Sequence, residues 1–437
     1  GGNWYFLTGS DYTINAGTVI SKINYFYLST GSTVRNSAQV FLSGGSLSLS
    51  GSANWISAAN SILSFARNIT GTGTLDCSAA PNTVNYASNQ SNTIYNATYY
   101  NLTLSTTSAV TKSLSGSLTV LNNLNINNTV TLNCNNFDLA VGGNWTNNAN
   151  TTCQNMTTVT FNGAGAQGIT RLTTEQFTNL VINGTGTVTL NRDINCTTSL
   201  SIMSGTFDVS ASSFGITDAG NFTHDGGVFN PRTGTVTFNG SVAQTIGGSA
   251  TTTFNNITSN NSLGGVSVSG IIIIDGLLQV NSRSFGTSGV GNIILTATGA
   301  TTYAKIGPLG VGASLVGTNW TIGSYIDGPA TAYWQYLGSP VSGATLADWD
   351  NDSRFYMSGV GGNDGNACCP IFYSVRTYNT ASNTYSNITS VSTAITPARG
   401  YMVWMSDNMS QLTAPLPYDT RGLPNFGTVV RAVTAGG

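Results

Sequence analysis

Charge is the first thing that this sequence lacks. Only 7% of its 437 residues are charged, and the formal net charge at pH 7 is −2. Glu175 is the single glutamate and His224 the single histidine. A surface that binds nucleic acid needs clustered lysine and arginine side chains to neutralise the phosphates, and the sequence contains no such cluster. We therefore expect no nucleic-acid partner.

Long apolar runs are also missing. A membrane-spanning helix needs about 20 consecutive apolar residues, whereas the isoleucine run at residues 271–274 ends at Asp275. The sequence therefore predicts no transmembrane segment. The chain begins at Gly1 without a signal peptide, so we expect either a mature form or a fragment of a longer protein.

What the sequence does contain is 40% apolar residues and 52 glycines, arranged in short alternating bursts. Examples are Val159/Phe161, Leu180/Ile182 and Leu200/Ile202. Period-two alternation over a few residues, broken by Gly, Asn and Ser, indicates short half-buried strands and not helices. The bursts of one series recur about every 16–21 residues, which predicts coils of roughly 19 residues.

The chain also repeats itself. The letters TVTFNG at residues 158–163 recur at residues 235–240, so Phe161 and Phe238 are related by a 77-residue offset, as are Phe177 and Phe254. Self-similarity of this kind is typical of stacked repeats. A repeat of this length would hold about four coils, and we expect the paired markers to occupy equivalent, buried places in the stack.

These patterns predict an all-β chain built as a right-handed parallel β-helix, or solenoid, followed by an antiparallel β-sandwich-like domain. We expect N-terminal coils or a cap over residues 1–81, the solenoid with its 77-residue repeats over 82–300, and the sandwich-like domain over 301–437. A row of small β-sandwich domains stays an alternative for the repeats, because the Asn-Gly pairs at 162–163 and 239–240 could close hairpins.

None of the six cysteines has the C-x-x-C spacing of a zinc site. Cys134 and Cys153 are about one coil apart in the sequence, so they could stack within disulfide reach. The alternative is two unpaired buried thiols. For the adjacent Cys368 and Cys369 we favour side chains on opposite sides of one strand over a strained vicinal bond.

Several sequence segments after residue 300 are similar to those of a known protein family. They are residues 325–329, 334–341, 344–349, 375–379 and 397–403. These segments resemble the β domain near the end of large secreted proteins of Bacteroidetes. The GNWT and TVTFNG sequence motifs resemble the Asn/Thr/Gly-rich stalks of the same proteins. The resemblance implies export by type IX secretion and an extracellular place on the cell surface. The sequence does not contain the sorting domain that guides such export, so we expect that this domain was cleaved at the surface or that the chain is part of a longer one.

Candidate chemistry is sparse. Common glycosidases need two carboxylates at a defined separation, and the solenoid offers mainly isolated acids such as Asp218 and Asp225 beside His224. No Gly-x-Ser-x-Gly nucleophile elbow accompanies them. We therefore expect no catalytic residues and no enzyme, with His224 as a solvent-facing turn residue.

One acidic stretch could bind a metal ion. Asp348, Asp350 and Asp352 alternate as oxygen ligands of calcium often do, although the glycine and glutamate of a helix-flanked calcium loop are absent. The sequence predicts a calcium site at these residues, against a solvated acidic turn as the alternative, and it predicts no other cofactor.

The functional expectation is a secreted structural protein or adhesin. The segment at residues 1–10 is apolar and uncharged, which suits a terminal coil that pairs with another chain. We expect self-association head to tail into a surface filament, with residues 1–30 of one copy against 301–437 of the next. The alternative from another class is a carbohydrate-binding or polysaccharide-degrading β-helix protein, with surface polysaccharide as its partner.

Overall fold

The computed structural model describes residues 2–21, 23–149, 151–153, 156–299, 301–326, 331–351, 357–362, 372–405 and 416–426. The chain divides into two compact units, the first unit at Gly1–Asn239 and the second unit at Gly240–Gly437. The regular structure of the described ranges is β-strand apart from one short helix, α1 (Ala347–Asp350), which confirms the all-β class. No helix among the described residues has the length and hydropathy to cross a membrane.

The strands of the first unit are short except for two. They are β1 (Asn3–Phe6), β2 (Asp11–Ile14), β3 (Val19–Ile20), β4 (Tyr25–Leu28), β5 (Thr33–Asn36), β6 (Gln39–Leu42), β7 (Leu47–Leu49), β8 (Asn54–Ser57), β9 (Ile62–Phe65), β10 (Ile69–Gly71), β11 (Thr74–Asp76), β12 (Thr83–Tyr86), β13 (Asn92–Ile94), β14 (Thr98–Tyr99), β15 (Asn101–Leu104), β16 (Val110–Leu114), β17 (Leu118–Val120), β18 (Leu124–Ile126), β19 (Val130–Asn133), β20 (Leu139–Val141), β21 (Trp145–Asn147), β22 (Thr151–Thr152), β23 (Thr158–Phe161), β24 (Gln167–Arg171), β25 (Glu175–Leu190), β26 (Ile194–Asp208), β27 (Ile216–Asp218), β28 (Asn221–His224), β29 (Val228–Asn230) and β30 (Thr235–Phe238).

The second unit continues the numbering. Its strands are β31 (Gln244–Gly247), β32 (Thr252–Phe254), β33 (Asn256–Ser259), β34 (Val266–Val268), β35 (Ile271–Ile274), β36 (Leu277–Val280), β37 (Ser284–Thr287), β38 (Asn292–Leu295), β39 (Ala297–Gly299), β40 (Thr302–Tyr303), β41 (Lys305–Ile306), β42 (Ser314–Val316), β43 (Trp320–Ile326), β44 (Tyr333–Leu337), β45 (Val341–Ser342), β46 (Val375–Asn379), β47 (Thr384–Asn387), β48 (Tyr401–Met405), β49 (Leu416–Arg421) and β50 (Leu423–Pro424).

The first unit is a parallel β-solenoid, as the sequence predicts. Strand β1 pairs with β4, β2 with β5 and β3 with β6, all in parallel, so each of these coils contributes three strands to three ladders. Alternation decides which side chains enter the core: in β23, Val159 and Phe161 are buried while Thr158 and Thr160 are partly exposed. Burying apolar surface at roughly 25 cal/mol per Å² is what holds such coils together.

On the outside of the coils, short polar side chains hydrogen-bond along the stack. Asn122 Nδ2 donates to Asn101 Oδ1 at 2.9 Å, and Ser199 Oγ donates to Asn179 Oδ1 at 2.8 Å, each pair on neighbouring coils. These hydrogen bonds join neighbouring coils through uncharged side chains.

The 77-residue repeat does not match a whole number of coils. Val159 pairs with Leu180, Leu180 with Leu200 and Leu200 with Phe222, so successive coils advance the numbering by 21, 20 and 22. At this pace the 77-residue offset corresponds to about three and two-thirds coils. The repeat therefore holds nearly the four coils that the sequence predicts, and each coil is slightly longer than the predicted 19 or so residues.

Because the 77-residue offset is not a whole number of coils, residues related by it lie in different ladders of the stack. Phe161 lies in the ladder that contains Ile182, whereas Phe238 lies in the ladder that contains Asp218. The expectation of equivalent places in the stack is therefore wrong. Phe161 and Phe238 are nevertheless both buried, as are Phe177 and Phe254, which confirms the burial part of the prediction.

The second unit combines parallel and antiparallel pairing. Its strands β32, β35, β38 and β43 form a parallel ladder, and the other edge of β43 pairs antiparallel with β49. Parallel pairing thus continues past residue 300, where the sequence predicts the start of a separate domain. Beyond β43, the strands β44, β48, β46 and β47 form an antiparallel sheet in that order, which confirms antiparallel structure towards the C-terminus.

One face of this antiparallel sheet packs on a core. Trp349, Tyr401 and Val403 are buried there, with the Trp349 and Tyr401 rings edge to face at 6.0 Å. Trp349 Nε1 donates to Thr420 Oγ1 at 3.1 Å, so the buried indole is satisfied. The opposite face of the same sheet is turned away from this core.

Candidate functional site

The predicted calcium ligands are only partly described. Asp348 and Asp350 lie in α1, and Asp348 Oδ2 accepts the backbone N–H of Thr345 at 2.7 Å. Asp352 lies outside the described residues. Within the described ranges no three His, Cys, Asp or Glu side chains come together as a metal-binding group. The calcium site stays a prediction.

His224 is not the solvent-facing turn residue that the sequence predicts. It occupies β28, where Phe222 and His224 are buried and Thr223 lies between them. Burial lowers the pKa of His224. Period-two alternation from Phe222 is the sequence signal for this inward position, and the prediction of a turn is wrong.

Asp218 is likewise buried in the core of the first unit, with 0% of its surface exposed. Its Oδ1 accepts the N–H of Gly220 at 3.0 Å, and burial raises its pKa to about 7. It stacks between Cys196 and Phe238 in one ladder. A substrate in solvent could not reach Asp218 or His224 without opening the coil, so we place no candidate active site here.

Cys134 and Cys153 are joined by a disulfide in the structure, with their Cα atoms 4.8 Å apart. Cys153 N donates to Leu132 O at 2.9 Å, so the two cysteines lie on neighbouring, hydrogen-bonded coils. The disulfide therefore links these two coils. Cys77 and Cys196 are free and buried. Cys368 and Cys369 lie outside the described residues.

The single glutamate is the centre of a buried polar cluster that the sequence did not predict. Glu175 is 0% exposed and accepts hydrogen bonds from Trp145 Nε1 at 2.8 Å, Asn147 Nδ2 at 2.7 Å and Arg171 Nη1 at 3.0 Å. Burial raises the pKa of Glu175, although these partners act in the opposite direction. Since donors of its own coils surround this carboxylate, the cluster serves the fold.

The outer face of the antiparallel sheet is different. In β48, Tyr401, Val403 and Met405 are buried in the core, so Met402 and Trp404 point to the other side. Alternation and register bring together the six side chains that we call the aromatic face: Trp334, Tyr336, Phe372, Tyr378, Tyr385 and Trp404.

Contacts join these side chains into two groups that share strand β44. Trp334 and Trp404 are register partners whose ring centroids lie 5.3 Å apart, and Phe372 lies 5.8 Å from Trp334 and 5.6 Å from Trp404. The hydroxyls of Tyr336 and Tyr385 are hydrogen-bonded. Tyr336 is 59% exposed and Tyr385 43% exposed, so solvent reaches a row of rings and hydroxyls.

Arg376 is the charged residue of this face. Its guanidinium carbon lies 4.8 Å from the ring centroid of Trp334, the geometry of a cation–π contact. The sequence indicates a dense aromatic region around Trp334 and Tyr336. It does not show that Arg376 would join them, because that depends on which strands become neighbours.

Comparisons of the chain with protein-family models, with curated proteins and with solved structures gave no match. The resemblance to secreted proteins of Bacteroidetes therefore stays a prediction.

Proposed function

We propose that this chain is an extracellular, cell-surface structural protein that acts as an adhesin and binds surface polysaccharide through the aromatic face. The observation that carries the proposal is a contiguous set of aromatic side chains on the solvent side of a sheet. Large exposed apolar patches are rare on soluble proteins and mark binding sites. Tyrosine and tryptophan offer an apolar ring for the C–H face of a sugar and a polar tip for its hydroxyls.

The parallel coils support the structural half of the proposal. Their backbone is hydrogen-bonded from coil to coil, and their outer ladders are short and mostly uncharged. Such a surface leaves few flexible segments for proteases. We also propose that the coil is right-handed and that the C-terminal domain is sandwich-like. We further propose that the chain is exported by type IX secretion from a bacterium of the Bacteroidetes.

Affinity electrophoresis in gels that contain single polysaccharides tests the binding. We expect at least one polysaccharide to retard the full chain, and Trp404→Ala or Tyr336→Ala to abolish the retardation. Tyr303→Ala is the matched control, because Tyr303 is 44% exposed but lies in β40, away from the aromatic face. A chain that no polysaccharide retards, or a Trp404→Ala variant that behaves like the wild type, would refute the proposal.

Self-assembly is a second proposal, with an observation of its own. Strands β1 and β2 lie at the ends of their ladders, where each pairs with one neighbour among the described residues, and Tyr5 and Leu7 are 65% and 66% exposed. Open strand edges of this kind pair with other chains unless something blocks them. We propose head-to-tail filaments in which residues 1–30 of one copy contact residues 301–437 of the next.

Light scattering over a concentration series tests this assembly. We expect polymers from the intact chain and none after deletion of residues 1–10, with unchanged circular dichroism. A stable monomer at high concentration would contradict the filament and leave the adhesin proposal standing.

A further inference from the structure

We infer that the aromatic face binds acidic polysaccharides, and that Arg376 recognises the carboxylate of a uronic acid unit. The inference rests on the proposed function, because it names the ligand class of the same site. Its first observation is the charge of the sheet. The strands β44, β46, β47 and β48 contain no aspartate, glutamate, lysine or histidine, and Arg376 is their single charged residue.

Arg376 has no acceptor among the described residues. Its guanidinium makes no hydrogen bond and no ion pair there, and its Nε atom is buried without a partner. Two arginines of the first unit find carboxylates: Arg171 lies 3.0 Å from Glu175, and Arg232 lies 2.7 Å from Asp208. A half-buried cation without an anion is costly unless a partner arrives. The positive charge of Arg376 on the aromatic face is therefore without a negative partner among the described residues.

The geometry suits a carboxylate on a sugar. The Arg376 guanidinium carbon lies 4.8 Å from the Trp334 ring centroid. Of its nitrogens only Nε is buried without a partner, so the two Nη groups remain for a ligand. Arginine presents a planar fork that binds carboxylates through two parallel hydrogen bonds. The rings of Trp404 and Phe372 lie beside Trp334, so a bound carboxylate would have apolar surface next to it, which strengthens such a contact. Neutral sugars would stack on the same rings but leave Arg376 unpaired.

The test compares polymers that differ only in charge. Polygalacturonate and alginate are the acidic probes, and their methyl-esterified forms are the neutral controls. We expect the full chain to bind at least one acidic polymer about tenfold or more tighter than its ester, with an affinity that falls as salt rises. Arg376→Gln should remove this preference, and Arg376→Lys should keep the charge but only part of the affinity.

Arg399→Gln is the matched control, because it removes the same charge from an exposed arginine that lies over Tyr401 at 5.9 Å, outside the aromatic face. It should bind like the wild type. Equal affinity for acidic and esterified polymers, or an Arg376→Gln variant that keeps the preference, would overturn the inference. If the esters bind as well as the acids and Trp404→Ala still abolishes binding, the inference fails while the proposed function survives. If neither the acids nor the esters bind, the inference fails as well.

Discussion

The middle coils of the first unit and the antiparallel sheet of the second unit differ in where their large aromatic side chains lie. In the coils between residues 139 and 190, Trp145, Phe161 and Phe177 are fully buried and contact one another, while the outward positions are mainly Thr, Ser and Asn. In the sheet, Trp334 and Trp404 lie on the side away from the core. Folding explains the first arrangement and not the second, which is why we look for function in the sheet.

The two regions also treat arginine differently. Arg171 of the first unit donates to a buried carboxylate and to the carbonyl of Ala149 at 2.9 Å. Arg376 of the second unit contacts an aromatic ring and no acceptor within the described residues. A paired internal charge is a structural element, whereas an unpaired charge on a binding face is available to a ligand. Substitutions in the first unit should therefore change stability, and those at Arg376 should change binding.

The largest effect should follow from Glu175→Ala. The change leaves the buried donors of Trp145, Asn147 and Arg171 without their acceptor, and breaking a buried pair in this way costs about 3–5 kcal/mol. Guanidinium unfolding followed by circular dichroism measures the loss. Asp11→Ala is the control, because its ion pair with Arg35 is long, at 3.5 Å, and exposed, so stability should barely change. Equal effects of the two changes would contradict a structural role for the cluster.

Asp218 should make the stability depend on pH. Its folded pKa of about 7 lies above the ordinary value of 3.8, so the folded chain holds a proton that the unfolded chain has lost. Its contribution to stability is therefore present below about pH 4 and is lost as pH rises to about 7, up to roughly 4 kcal/mol in total. Asp218→Asn should remove this slope.

His224 has the opposite sign, because its pKa is lowered by burial and its contribution falls as pH drops. The quantity to compare is therefore the difference between wild type and Asp218→Asn in urea midpoints from pH 4 to 8. A difference that is constant across this range would show that Asp218 is not protonated in the fold.

The disulfide should rank next. A bond between Cys134 and Cys153 closes a loop of about 20 residues, and the chain-entropy model assigns about 3 kcal/mol to such a loop. We expect the Cys134→Ala/Cys153→Ala variant to lose this amount. Non-reducing peptide mapping should recover the two cysteines linked and Cys77 unlinked. Two free thiols at 134 and 153 would refute the pairing.

The smallest effect should follow from Arg376→Met. The change removes a cation–π contact worth about 0.5–1 kcal/mol and also removes a buried donor without an acceptor. The two terms oppose each other, so the free energy of unfolding should move by less than about 1 kcal/mol. Thermal unfolding by circular dichroism measures it. A loss as large as that of Glu175→Ala would make Arg376 a structural residue and weaken the contrast between the two regions.

Much of the coil architecture could be read from the order of the residues. The alternation at Val159 and Phe161 predicts short strands with one buried side, and Gly and Asn between the bursts exclude long helices. Even the buried position of His224 follows from Phe222 two positions earlier, although the polar residues around it favour a turn. The two-residue periodicity of apolar side chains is enough for these conclusions, because a strand places alternate side chains on opposite sides whatever its neighbours are.

What the sequence by itself determined is therefore the all-β class, the parallel coils and the burial of the repeated phenylalanines. Only the tertiary structure decided which ladder each strand joins. Because 77 residues is not a whole number of coils, Phe161 and Phe238 lie in different ladders, and strand pairing brings Arg376 to Trp334. The reason is physical: alternation is a property of single strands, whereas register depends on the summed length of every turn between them. The core could be predicted from local pattern, and the candidate site could not.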